Sequence, residues 1–111
     1  MSLRLARGPS FDTVVAAFVR RVTRLPQTCK VLIEHDGQAT RIWTIIDAEP
    51  FDRSARAPVY AAELATLDEA GGLDVAFRLV NQREYGQGDL SAIVPAEAKV
   101  VWSREPVADR A

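Results

Sequence analysis

The chain has 111 residues, 48% apolar and 26% charged, with a net charge of −1. This is the make-up of one globular domain, long enough to bury roughly two-thirds of its unfolded surface, and it excludes wholesale disorder. No run approaches the roughly 18 apolar residues that cross a bilayer, and Met1 to Pro9 lacks the apolar core of a secretory signal, so no membrane role is expected. The single cysteine, Cys29, rules out an internal disulfide and fits a reducing cytoplasm; the abundance of Ala, Arg and Val fits a bacterial source.

Ser10 is a natural N-cap for a first helix, because its hydroxyl can accept from an amide one turn on. Phe11, Val14, Val15, Phe18, Val22 and Leu25 then recur at helical spacing, Arg20, Arg21 and Arg24 follow near the end, and Pro26 stops the element. Thr28 to Asp47 reads as a β-hairpin turning at Asp36-Gly37, a dipeptide suited to a tight turn. With His35 opposite Gln38, Val31 faces Ile42, Ile33 faces Thr40 and Cys29 faces Thr44 on an apolar side shared with Ile46. Lys30 with Trp43, Leu32 with Arg41, Glu34 with Ala39, and Ile45 make up the other side.

A polar connection from Ala48 to Arg56 leads to a second helix, starting between Ser54 and Pro58. Its buried stripe is expected to be Tyr60, Leu64 and Leu67, flanked by Val59, with Gly71-Gly72 ending it. Leu73 to Val80 alternates as a strand, Leu73, Val75, Phe77 and Leu79 on its buried face. A polar loop from Asn81 to Gly88 carries Tyr85. Asp89 can cap one helical turn, Leu90 to Val94, closed by Pro95. Lys99 to Ser103 forms a last strand with Val100 and Trp102 inward, and residues 1–9 and 105–111 are expected to be flexible.

The order α-β-β-α-β-β predicts an α+β two-layer sandwich, two helices on one face of a mainly antiparallel sheet of three to four strands. In element order it resembles a ferredoxin-like sandwich whose first strand has moved to the end of the chain. That resemblance carries no motif and implies no activity.

Catalytic and cofactor patterns find little support in these residues. One His and one Cys leave no zinc or iron–sulfur spacing, so no metal or cofactor is expected. Asp47, Glu49 and Asp52 lack the turn glycine of a calcium loop and read as a solvated acidic stretch. His35 sits beside a tight turn with no evident partner for general-base work. Gly86-Gln87-Gly88 lacks the length and the following Lys of a phosphate loop.

Three candidate surfaces remain. Lys30, Leu32, Arg41, Trp43, Ile45 and Arg78 share the outer sheet face, a mixed apolar and basic patch around one aromatic. A docking face for a second copy of the chain or for a protein partner is the leading expectation. RNA-recognition-motif domains use a similar sheet for base stacking, but neither of their aromatic-rich signatures is present, and nucleic-acid binding is the alternative. Residues 1–30 carry six bases against one acid, while the remainder carries eight against fourteen, which adds the arginine-rich first helix to that alternative. Finally, Glu63 falls at the edge of the second helix's stripe, where burial penalises its charge. Arg83, Tyr85 or Asn81 is expected to partner it, either tying down the loop or forming a small-molecule pocket.

Overall fold

The computed structural model describes residues 10–37, 39–85 and 90–104. The expected flexible tails, the Asp89 cap and the Gly86–Gly88 glycines lie outside them. Along the chain run α1 (Phe11–Val22), β1 (Thr28–Asp36), β2 (Ala39–Ile46), α2 (Arg53–Glu69), β3 (Val75–Asn81) and β4 (Lys99–Ser103). A 3-10 turn, Gln82–Glu84, intervenes between the last two strands.

Ser10 caps α1 as its residue type requires, its Oγ accepting from the Thr13 amide at 3.1 Å. Val14, Ala17, Phe18 and Val22 are buried along one face of the helix. Asp52 caps α2 by accepting from the Ser54 amide at 2.9 Å, one residue before the expected start, so Pro58 lies within the helix. The missing proline amide leaves the Ser54 carbonyl without its intrahelical donor.

The sheet has the order β3-β2-β1-β4. β1 runs antiparallel to β2 and to β4, whereas β2 and β3 are parallel, joined by the α2 crossover. The sheet is therefore mixed, with two of its three pairings antiparallel as expected and one parallel. Moving the first strand of a ferredoxin-like sandwich to the chain end would place it between the two strands linked by the crossover. Here those strands pair directly and β4 takes the opposite edge, so the permuted arrangement is not adopted.

Three local corrections have physical causes. Asp36 pairs with Ala39, so the chain turns after Asp36, with Gly37 at φ +66°. Every cross-strand partner moves by two residues, which preserves the faces because side chains alternate with period two. The same shift gives Thr44 to Val31 instead of Cys29, and a bulge between Thr28 and Lys30 falls at Cys29 itself. A second bulge leaves Val101 without a partner: Trp102 pairs with Val31 and Val100 with Leu32, on opposite faces. Trp102 consequently packs against the helix-side core, while Val100 is exposed rather than inward.

Phe18, Val22, Val31, Ile42, Ile46, Val59 and Ala62 form that core between helices and sheet, with the Phe77 ring 4.8 Å from that of Phe18 and tilted 47° to it. Arg104 ties the end of β4 to the loop between α1 and β1. Its guanidinium lies 5.1 Å over Trp102 and donates to the carbonyls of Thr28, Leu25 and Thr23.

α2 reverses the expected burial. Val59, Ala62, Thr66 and Ala70 face the core, whereas Tyr60, Leu64 and Leu67 face outward. Both sets recur at spacings of three and four, so periodicity does not choose between them. Close approach does: alanines and a threonine let the helix lie near α1 and the sheet, where Arg21 reaches Thr66 at 3.0 Å and Glu69 at 2.6 Å.

Candidate functional site

The outer sheet face is already covered by the chain itself. Leu32, Trp43, Ile45 and Val80 form a second apolar cluster, against which Leu90, Val94 and Ala98 pack. Hydrogen bonds from the Ile93 and Val94 amides to the Leu90 carbonyl, 2.9 Å each, fold this covering segment into one compact turn. Trp43 is 8% exposed, and its indole N–H donates to Glu34 Oε1 at 3.2 Å. Glu34 Oε2 holds Arg41 at 3.1 Å. Of the six residues expected on this face, Leu32, Trp43 and Ile45 are buried, Lys30 and Arg41 are half-buried, and Arg78 is exposed. The strands bring all six to one side, but the apolar ones meet the protein's own chain and not solvent.

The polar residues expected around Glu63 assemble elsewhere. Asn81 is buried at the end of β3, exchanging hydrogen bonds with Ala48 through its carboxamide at 3.1 and 3.2 Å. Arg83 pairs with both Asp47 and Glu49, while Asp52 caps α2. Among the described residues no group of three acidic, His or Cys side chains could hold a metal ion. Tyr85 is exposed. Glu63 makes no hydrogen bond or ion pair among the described residues, and burial pushes its carboxyl up to about 7. The expected anchoring of the loop after β3 by Glu63 is thus replaced by Asn81 held on Ala48 and Glu49, and by Arg56, about two turns nearer the start of α2, held on Glu84.

The same network presents an exposed aromatic. Phe51 has φ +62°, the left-handed region that non-glycine residues enter at a cost of order 1–3 kcal/mol. Its amide donates to Glu84 Oε2 at 2.6 Å, and Arg56 donates to Glu84 Oε1 at 2.8 Å. The Phe51 amide first, and then Arg56, hold the Glu84 carboxyl below its ordinary range. A clamped carboxylate therefore holds the backbone in a strained turn whose ring is 80% exposed. Sequence reasoning missed Phe51 because it stood in a polar connection; an aromatic among Glu, Pro and Asp was the one available signal.

Phe51, Arg53, Arg56, Ala57 and Tyr60 line an open cleft of about 710 Å³ at the start of α2. From there the apolar ridge continues along the helix through Tyr60, Leu64 and Leu67, which are 46, 66 and 42% exposed. Arg53 and Asp68 mark the two ends of this outward face, and neither makes an ion pair among the described residues. What the arrangement offers chemically is contact: large apolar groups, two arginines and a rigid backbone. No protein-family model, curated protein or solved structure matches this chain.

Proposed function

We propose that this chain is a small non-catalytic binding protein that associates with a protein surface through the outer face of α2. The observation that carries this reading is the ridge of Tyr60, Leu64 and Leu67 on α2, extended at its start by Phe51 across the shared cleft, four large apolar side chains all exposed. Scattered exposed leucines need no explanation, but a contiguous ridge with two aromatic anchors has the make-up of an interface core. The clamp on Phe51 supports it further, since an anchor held before binding loses little entropy on docking. Docking through the sheet face, the expectation from sequence, has no open surface at Trp43. Base stacking on that face loses its platform for the same reason, and Arg21 of the arginine-rich helix is engaged with Glu69.

Site-specific photo-crosslinking in the cell tests the proposal. A photoreactive residue at position 64 is expected to give a discrete protein adduct, and one at Ala16, exposed on α1, none. No adduct at position 64, or equal adducts at both positions, would remove the α2 face as the binding surface.

A further inference from the structure

We infer that the occupant of this face is a second copy of the chain, paired antiparallel through α2 about a two-fold axis passing between residues 60 and 61. The inference rests on the reading of the α2 outer face as a binding surface, and adds the partner and its register. An isologous contact requires a surface complementary to its own copy turned by a two-fold rotation. The outward face of α2 has that property. It carries a cation at one end, Arg53, and an anion at the other, Asp68, about four turns or roughly 22 Å away along the helix. Both side chains are exposed, and neither has an ion-pair partner among the described residues.

Antiparallel pairing about that axis sets Arg53 opposite Asp68 of the second copy, and the reverse, so two ion pairs bracket the contact. Between them, Ala57 meets Leu64 and Tyr60 meets Ala61, so each large side chain faces a small one. Large-into-small alternation is what close helix packing needs. Parallel pairing would instead set Arg53 against Arg53 and Asp68 against Asp68. A helix of 17 residues, about 25 Å long, presents a contact at the small end of stable interfaces, which corresponds to micromolar self-association.

Sedimentation equilibrium on the full-length chain at low ionic strength tests both the partner and the register. The wild type is expected at twice the chain mass in the micromolar range. Leu64→Glu should be monomeric, its dissociation constant raised on the order of 100-fold, with an unfolding midpoint equal to that of the wild type when both are diluted well below the dimer's dissociation constant. Arg53→Asp and Asp68→Arg should each weaken the dimer about tenfold, since each sets two like-charged pairs face to face. An equimolar mixture of these two variants should recover wild-type affinity, because their heterodimer restores opposite charges at both ends.

A dimer unaffected by Leu64→Glu would overturn this pairing and the α2 reading together. A wild-type monomer at about 100 μM that still crosslinks to another protein at position 64 would overturn only the second copy as occupant. Dimerisation lost in Leu64→Glu but not recovered in the mixture would overturn the antiparallel register.

Discussion

α1 and α2 lie side by side on the same sheet, yet they bury opposite kinds of residue. α1 turns Val14, Phe18 and Val22 inward and leaves Asp12, Thr13 and Arg20 in water. α2 turns Ala62, Thr66 and Ala70 inward with Val59, and leaves Tyr60, Leu64 and Leu67 exposed. The two helices share a rule of spacing but not a rule of size. α1 fills the space above the strands, and Phe18 reaches Phe77 to do so. α2 is the crossover between paired parallel strands and also packs on α1, so small side chains take its inner face. Its surplus of large apolar groups is left for something outside the fold.

The widest expected gap between the helices is in truncation. Phe18→Ala should cost about 3–5 kcal/mol, because the side chain is fully buried and a cavity would remain. Leu64→Ala should change stability by no more than about 0.5 kcal/mol. Urea unfolding of the two variants reads both values, and equal losses would return Leu64 to the core and dissolve the contrast.

Enlarging the inner face of α2 sharpens the size rule. Ala62→Leu should destabilise by about 1–3 kcal/mol, because the extra methyl groups have to displace the neighbouring core residues Val59 and Ile42 or lift the helix. Were thermal unfolding unchanged, α2 would not be in close contact, and its small residues would need another account.

The smallest effect belongs to Glu63, at the border between the two faces of α2. Its carboxyl is raised from 4.5 to about 7 by burial, so the native state holds a proton that the unfolded chain has released. Between about pH 4.5 and 7 the native state binds more protons, stability falls as pH rises, and it levels off above that window. Glu63→Gln removes the penalty and should raise stability by about 1 kcal/mol at pH 7.5, less than the full shift implies because the half-exposed group is screened by solvent. It should have no such effect near pH 4. Guanidinium unfolding at the two pH values measures it; a loss of stability at pH 7.5 would mean that Glu63 has a partner.

Much of the fold was legible because local rules and tertiary needs agreed. The Ser10 cap, the α1 stripe, the hairpin, the inward side of β3 and the span of β4 all followed from residue type and period. The hairpin turn was placed one residue early at Asp36-Gly37, yet the inward and outward faces remained correct, since a shift of two in partner number leaves alternation intact. The bulge at Val101 was not legible, because nothing in Lys-Val-Val-Trp-Ser signals an extra residue. It was enough to turn Val100 to the wrong side. The candidate site was the least legible part: Phe51 stands alone in a polar stretch, and its clamp, Glu84, lies 33 residues away.

The sequence by itself determined the order and approximate extent of the elements and which residues of β1, β2 and β3 share a face. These depend on capping, turn chemistry and side-chain period, all of which act over a few residues. Only the tertiary structure decided which of α2's two stripes is buried, what covers Trp43, and where β4 inserts. Each of those depends on how closely distant segments approach: α2 upon α1, Leu90 to Ala98 upon the outer face, β4 beside β1 and not between β2 and β3. Distance between layers has no local signature, and at α2 it outweighed hydrophobicity in setting which side chains meet water.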